Sequence, residues 1–66
     1  MFGNKRLDRT FETIQNSDYT SADLLAKTSG VTERTVRSDI AKINQALEGQ
    51  GGSIIMKRER GYHLVI

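Results

Sequence analysis

The sequence predicts a small α+β domain in which three helices are followed by a C-terminal two-stranded β-hairpin. Apolar residues recur with the helical period as far as Glu48, and the glycine-rich segment 49–52 then interrupts this pattern. Residues 53–66 are instead rich in β-forming side chains around a short turn. A chain of 66 residues is long enough for one domain, residues 1–66, with a compact core.

The first helix is predicted between Asn4 and Gln15. Leu7, Phe11 and Ile14 follow one another at spacings of four and three residues, which places them on one face of a helix. Polar, turn-forming residues come directly after Gln15 and end the helix.

The second helix is predicted to begin at Thr20, whose hydroxyl caps the helix N-terminus. Asp23 then reaches back as a variant of the capping box, and Tyr19 and Leu24 occupy the positions of a hydrophobic staple. Gly30 is expected to end the helix in the left-handed conformation, which costs glycine little.

The third helix follows at once, with Thr32 as its N-cap. It is predicted to run to about Glu48, and Gly49 ends it. The apolar residues form one narrow stripe, as expected for a helix that lies on a small core. This stripe consists of Val36, Ile40, Ile43 and Leu47.

The hairpin is predicted from two β-rich segments, Ser53 to Lys57 and Tyr62 to Ile66, with the turn at residues 58–61 between them. In the first strand, Ile54 and Met56 share one face. In the second strand, one face is formed by Tyr62, Leu64 and Ile66.

The segment from Leu25 to Ile40 has the features of a helix-turn-helix. Ala26 is small where the two helices must approach each other, Gly30 permits the turn, and no linker separates the helices. The second helix of this motif enters the major groove of DNA, so the predicted recognition helix covers about residues 32–48.

The face opposite the apolar stripe, here called the recognition face, carries basic and hydroxyl side chains that bond to bases and phosphates. It consists of Thr32, Arg34, Thr35, Arg37, Ser38 and Lys42. A solvated amphipathic face is the alternative, and the concentration of Arg, Ser and Thr fits that alternative less well.

The net charge of +2 arises in the second half of the chain, because residues 1–30 carry four basic and four acidic residues and residues 31–66 carry six and four. Lys57, Arg58 and Arg60, here called the wing cluster, surround the hairpin turn. Such a basic turn suits a wing, residues 53–66, that lies on the DNA backbone or in the minor groove. Charged protection of an edge strand is the alternative; considered with the recognition helix, the pattern favours DNA.

Four stretches of the sequence carry a family resemblance: SADLLA at 21–26, GVTERTVRSDI at 30–40, IN at 43–44 and GYHL at 61–64. They resemble the winged-helix domains of bacterial sugar-operon and biotin-repressor-type regulators. The closest likeness is to the N-terminal domain of activators controlled by phosphotransferase-system phosphorylation. Glu59 departs from the small or basic residue expected at the wing tip.

The resemblance implies a three-helix winged helix-turn-helix with a C-terminal two-stranded β-hairpin wing. It also implies sequence-specific binding to double-stranded DNA in transcription regulation. The predicted DNA-binding residues are Ser21, the recognition face and the wing cluster.

Two other classes of binding module fit this sequence less well. A winged helix used as a protein-interaction module, without DNA binding, needs an exposed apolar patch where this sequence has Arg, Thr and Ser. An RNA-binding domain usually exposes aromatic residues on a sheet, and this chain has only two Phe and two Tyr.

No activated nucleophile, acid/base pair or phosphate-cradling loop is evident, so we expect neither an enzyme nor a cofactor. Without Cys, and with His63 as the only His, a metal site is not expected. The apolar stretches are too short to cross a membrane, and we expect a cytoplasmic protein. Met1 indicates a native start, and we expect an N-terminal domain of a longer regulator that forms a homodimer through modules absent from this chain.

Four residues near these sites have structural interpretations. Asp39 flanks the apolar stripe and is expected to form an ion pair or hydrogen bond with a partner that the sequence does not identify. Asn44 and Gln45 fit a solvated helix face. Tyr62 alternates with apolar neighbours and is expected in the core.

Overall fold

The computed structural model describes residues 2–66, and Met1, the first residue of the predicted domain, lies outside the described residues. Three helices precede a two-stranded antiparallel sheet, which confirms the predicted architecture. The elements are α1 (Lys5–Gln15), α2 (Ala22–Ser29), α3 (Glu33–Leu47), β1 (Ser53–Lys57) and β2 (Gly61–Val65).

Helix α1 has its apolar residues on one face, as predicted from their spacing. Leu7, Phe11 and Ile14 are buried. Asn4 caps the helix, because its side-chain oxygen accepts the backbone N–H of Arg6 at 2.8 Å. The helix therefore begins one residue after the predicted start.

The start of α2 corrects the predicted cap. Ser21, not Thr20, is the N-cap, and its hydroxyl accepts the N–H of Leu24 at 3.1 Å. Thr20 instead forms an isolated β-bridge with Tyr62, with N to O distances of 3.0 and 2.7 Å. Its carbonyl accepts the Tyr62 N–H and not the first N–H of the helix, which is the bond that an N-cap carbonyl makes. The predicted staple is also wrong, because Leu24 is 52% exposed.

The turn between α2 and α3 is as predicted. Gly30 has φ 69° and ends α2 in the left-handed conformation. The N–H of Val31 donates to the carbonyl of Ala26 at 3.0 Å, which closes the turn. Because this turn is tight, α3 begins only three residues after Gly30, behind the Thr32 cap.

Helix α3 and the hairpin complete the core. The buried face of α3 includes Val36, Ile40 and Ile43, while Leu47 is partly buried. Ile40 and Ile43 belong to the same buried cluster as Phe11 and Leu25. The full cluster is Leu7, Phe11, Ile14, Leu25, Ala26, Val36, Ile40, Ile43, Ile54 and Tyr62.

The hairpin agrees with its predicted alternation only in part. Ile54 pairs with Leu64 and Met56 pairs with Tyr62, so these four side chains share a face. Ile54 and Tyr62 are buried, whereas Met56 is 63% exposed. Ile54 is covered where Asn44 of α3 bonds to its backbone, and Tyr62 lies beside its bridge partner Thr20, whereas Met56 lies nearer the exposed hairpin turn.

Strand β2 runs one residue earlier than predicted, from Gly61 to Val65, and Ile66 is 90% exposed instead of lying on the inner face. Its ladder with β1 ends at the pair of Ser53 and Val65, so nothing extends the strand further. Within residues 2–66, no helix is long and apolar enough to span a bilayer.

Candidate nucleic-acid interface

The recognition face is on the solvent side of α3. Arg34, Arg37, Ser38 and Lys42 are exposed, as is Thr32 at the helix start. Thr35 is half-buried. The apolar stripe faces the core on the opposite side, so these polar side chains point outward.

The hydroxyl groups at the start of α3 also have a structural role. The Thr32 hydroxyl accepts the N–H of Thr35 at 3.2 Å, and the two hydroxyls lie 3.3 Å apart. A hydroxyl has one donor and two acceptor positions, so capping does not exhaust either residue. Both therefore keep capacity to bond with a ligand.

The charges of the recognition face are weakly neutralised. Arg37 approaches Glu33 at 3.9 Å, with both side chains largely exposed. An exposed pair of this length contributes little and is screened by salt. The Arg37 guanidinium therefore stays available to a stronger anion.

Ser21 has a defined place at the start of α2. It is exposed, and its oxygen is used to accept the Leu24 N–H. Its hydroxyl proton is not used in that bond, so Ser21 retains a donor for a phosphate oxygen.

The wing cluster surrounds the hairpin turn, as predicted. Lys57, Arg58 and Arg60 are exposed, and the Arg60 N–H donates to the Lys57 carbonyl at 3.1 Å to close the turn. These side chains line a surface depression of about 430 Å³ together with Glu59 and Tyr19. Three cations face one carboxylate there, so the depression is suited to an anion.

Tyr19, predicted from the sequence only as a staple residue, lies beside the wing. The Arg60 guanidinium carbon is 5.3 Å from the centre of the Tyr19 ring. The His63 ring stacks on Tyr19 at 4.9 Å between centroids and 25° between planes. No sequence signal identifies this cluster, because the aromatic residues are 44 positions apart.

His63 is held by the same segment. Its Nδ1 lies 2.8 Å from the carbonyl oxygen of Asp18, and since a carbonyl only accepts, Nδ1–H donates. Among residues 2–66 there is no group of His, Cys, Asp and Glu that could hold a metal ion.

Asn44 joins the recognition helix to the wing. Its side-chain oxygen accepts the Ile54 N–H at 2.6 Å, and its amide donates to the Ile54 carbonyl at 3.0 Å. The interpretation of Asn44 as a solvated residue is therefore wrong. These two bonds occupy the outer edge of β1 and fix its position relative to α3.

Asp39 has the ion-pair partner that the sequence left unidentified. Arg6 donates to its two carboxylate oxygens at 2.7 and 3.0 Å, and the carboxylate is almost fully buried. This hydrogen-bonded carboxylate raises the pKa of Arg6 above its ordinary value. The pair ties the start of α1 to the middle of α3.

A third basic group lies on the first turns of α1. Lys5, Arg6 and Arg9 line a depression of about 310 Å³ with Ser29 and Val31. The charge count of the first half of the chain hides this group, because four acidic residues balance the four basic residues of that half. Arg6 is committed to Asp39, and Lys5 and Arg9 are exposed.

Comparison with known proteins gave one result. A family model described as a helix-turn-helix domain matches residues 6–63, which covers all three helices and most of the hairpin. No curated protein and no solved structure matches the chain.

Proposed function

Because this chain belongs to the helix-turn-helix domain family, of the winged-helix type found in bacterial regulators, we propose that it binds double-stranded DNA sequence-specifically. In this proposal α3 enters the major groove and the wing lies on the backbone or in the minor groove. DNA-binding regulation in general follows from the family; the contacts of individual residues are our proposal.

One observation carries the proposal: two exposed basic groups, the recognition face and the wing cluster, belong to elements that are rigidly joined. Asn44 links α3 to β1 through two hydrogen bonds, at 2.6 and 3.0 Å. A duplex presents phosphates on both sides of its major groove, and a fixed spacing between helix and wing suits simultaneous contact with the groove and the flanking backbone.

The residues divide by the reach of their side chains. Arg34 and Arg37 lie in the first turns of α3, where side chains reach base edges, and Arg bonds bidentately to guanine. Ser38 and the hydroxyls of Thr32 and Thr35 serve bases or phosphates. The remaining contacts are to phosphates, from Ser21, Lys42, Lys57, Arg58 and Arg60.

The test is fluorescence anisotropy with a labelled duplex over a series of salt concentrations. If Arg34, Arg37 and the wing cluster meet phosphates or bases, log Kd should rise with log salt concentration by about 0.9 per phosphate contact. Lys27→Gln is the charge-matched control, because Lys27 lies on α2 and pairs with Asp23 at 3.1 Å. It should bind nearly as well as the unchanged chain, whereas Arg34→Gln should not.

A protein-interaction module is the second candidate, and one observation favours it. Ile55 and Val65 lie on the outer face of the hairpin, where they are 37% and 43% exposed and would offer apolar contact to a partner protein. The recognition face offers no such contact, because no apolar side chain larger than Ala is exposed there. If protein interaction is the sole function, the chain should show no measurable duplex binding even at low salt. Measurable binding that weakens with salt would exclude it as the sole function.

We further propose that the chain acts in the bacterial cytoplasm, where a DNA-binding regulator meets its operator. One recognition helix reads only one half-site, so tight binding needs a second copy. A homodimer formed through modules outside this chain would supply that copy.

A further inference from the structure

The segment Asp18 to Thr20 is attached to β2 along its length. Thr20 exchanges two backbone hydrogen bonds with Tyr62, at 3.0 and 2.7 Å, and His63 donates to the Asp18 carbonyl at 2.8 Å. Tyr19 lies between these attachments, so its backbone has little freedom. Its ring stacks on His63 at 4.9 Å, which also restricts the side chain.

Arg60 is the cation that contacts this fixed ring, at 5.3 Å from its centre. Glu59, the adjacent carboxylate, forms no ion pair with the wing cluster within the described residues. The contact is a cation–π interaction, which leaves the charge of the guanidinium in place. Among the described residues, no hydrogen bond or ion pair occupies the guanidinium N–H groups of Arg60, and these are the groups that bond to phosphate.

Arg58 and Lys57 line the same depression without a ring contact. A free basic side chain loses rotamer freedom when it binds, and this loss weakens the complex. Arg60 has lost part of that freedom before any ligand arrives, because the ring restricts it. The three cations of the wing cluster therefore differ in how far each is already ordered.

We propose that Tyr19 is a positioning residue, which orders Arg60 on its ring so that the guanidinium meets a DNA phosphate. This inference rests on the proposed DNA-binding function. It assigns a role in DNA affinity to a residue outside both the recognition face and the wing cluster, and it makes Arg60 the anchor of the wing.

The test is a double-mutant cycle on duplex affinity with Tyr19→Leu and Arg60→Gln. In the unchanged background, Tyr19→Leu should weaken binding about two- to fivefold, the range of an exposed cation–π contact. In the Arg60→Gln background, Tyr19→Leu should have no further effect, since the side chain that it positions is gone. Tyr19→Phe keeps the ring and should bind like the unchanged chain.

Arg58→Gln provides the matched control, because it removes the same charge from the same depression. Tyr19→Leu should still weaken binding two- to fivefold in that background, at about the ratio of the unchanged chain. Equal losses in the Arg58→Gln and Arg60→Gln backgrounds would mean that Tyr19 acts only through the general structure of the wing, and the proposal would be overturned.

The contact between Arg60 and the Tyr19 ring can also be measured without DNA. Ring currents should shift the Arg60 side-chain proton resonances in the unchanged chain and in Tyr19→Phe, and not in Tyr19→Leu. If the unchanged chain binds no duplex, the proposed function fails together with this role. If it binds and Tyr19→Leu has no effect, this inference alone fails.

Discussion

Gly61 has the least space around its Cα of the glycines that the structure describes. It has φ 109°, and a Cβ built on it would lie 2.5 Å from the carbonyl oxygen of Thr20. This approach permits the two hydrogen bonds between Thr20 and Tyr62 that hold the segment before α2 against the wing. At the scale of single residues, the absence of a side chain at Gly61 therefore allows β2 to approach the segment before α2 closely enough for hydrogen bonding.

We expect Gly61→Ala to destabilise the domain more than Gly30→Ala does. Gly30 has φ 69° with nothing within 4 Å of its added Cβ, so only the left-handed conformation counts, at about 1–2 kcal/mol. At Gly61 the backbone must also move and weaken two hydrogen bonds, which adds at least about 1 kcal/mol. Urea unfolding measures both variants, and equal losses would contradict the close approach at Gly61.

Ile40 tests the core at the same scale. It is 5% exposed and lies in the cluster shared by the three helices and the hairpin. Ile40→Ala should reduce the free energy of unfolding by about 2–5 kcal/mol, through lost burial and the cavity left behind.

Ile55→Ala is the control for Ile40→Ala, because it makes the same chemical change on the exposed face of β1. It should cost much less, since its methyl groups are already partly in water. A melting temperature of Ile40→Ala that is close to that of the unchanged chain would show that α3 does not pack on the core as described.

At the scale of elements, helix α3 and the hairpin are joined to each other, and each has one further attachment of its own. The Asp39–Arg6 pair joins α3 to α1, whereas Asn44 joins α3 to β1. The wing is held on its other side by the bridge between Thr20 and Tyr62. None of these attachments uses an exposed basic side chain of the recognition face or of the wing cluster, so these side chains can be substituted separately and their roles in DNA binding compared.

We expect substitutions on α3 to change sequence preference and substitutions in the wing to change only affinity. Arg34→Ala or Arg37→Ala should cost about 1–3 kcal/mol on the preferred site and relax the sequence preference. Arg58→Ala should weaken binding to all duplexes about equally and reduce the salt slope by about one contact.

Selection from a randomised duplex library with each of these variants measures the difference. The unchanged chain gives the reference sequence, and Arg58→Ala serves as the control for loss of charge alone. If Arg58→Ala alters the selected sequence while neither α3 variant does, the wing and not the helix reads the bases.

At the scale of the whole molecule, the domain offers one recognition helix on a body that extends 29 × 27 × 19 Å. In the arrangement that we propose, a body of this size would place α3 in one major groove and the wing on the adjoining backbone, so one copy would read a single half-site. A strong regulator of this kind therefore needs two domains whose separation matches the repeat of the DNA helix.

We expect the isolated chain to bind one half-site weakly, and two linked copies to bind much more tightly to two half-sites about one helical turn apart, roughly 34–36 Å. Anisotropy with a tandem of two chains and duplexes of different spacing tests this. An added half-turn places the second site on the opposite side of the duplex and serves as the control. Equal affinity at both spacings would contradict the proposed arrangement.

Much of the fold was predictable from signals that act over a few residues. The 3.6-residue period located α1 and α3, Gly30 marked the end of α2 and Thr32 the start of α3, and the basic face of α3 follows from its period. Each of these signals involves residues no more than four positions apart, so each can be identified from the sequence alone.

Several side chains were able to cap a helix or to form a given hydrogen bond, and only the tertiary structure decided which of them did so. Thr20 and Ser21 are both able to cap α2, and the bridge to Tyr62, far along the chain, takes Thr20 out of that role. From the sequence, Asn44 is only a polar residue on a helix. In the folded chain β1 packs beside it, and Asn44 bonds to the N–H and the carbonyl of Ile54.

The same holds for the cluster at the wing and for the Asp39–Arg6 pair. Tyr19, Arg60 and His63 have no shared period, and Arg6 is 33 positions from Asp39. Sequence by itself determined the elements and their polar faces, because helix periods, caps and glycine turns are local. Tertiary structure decided the partners that join the elements, because burial and hydrogen-bond satisfaction depend on what packing brings together.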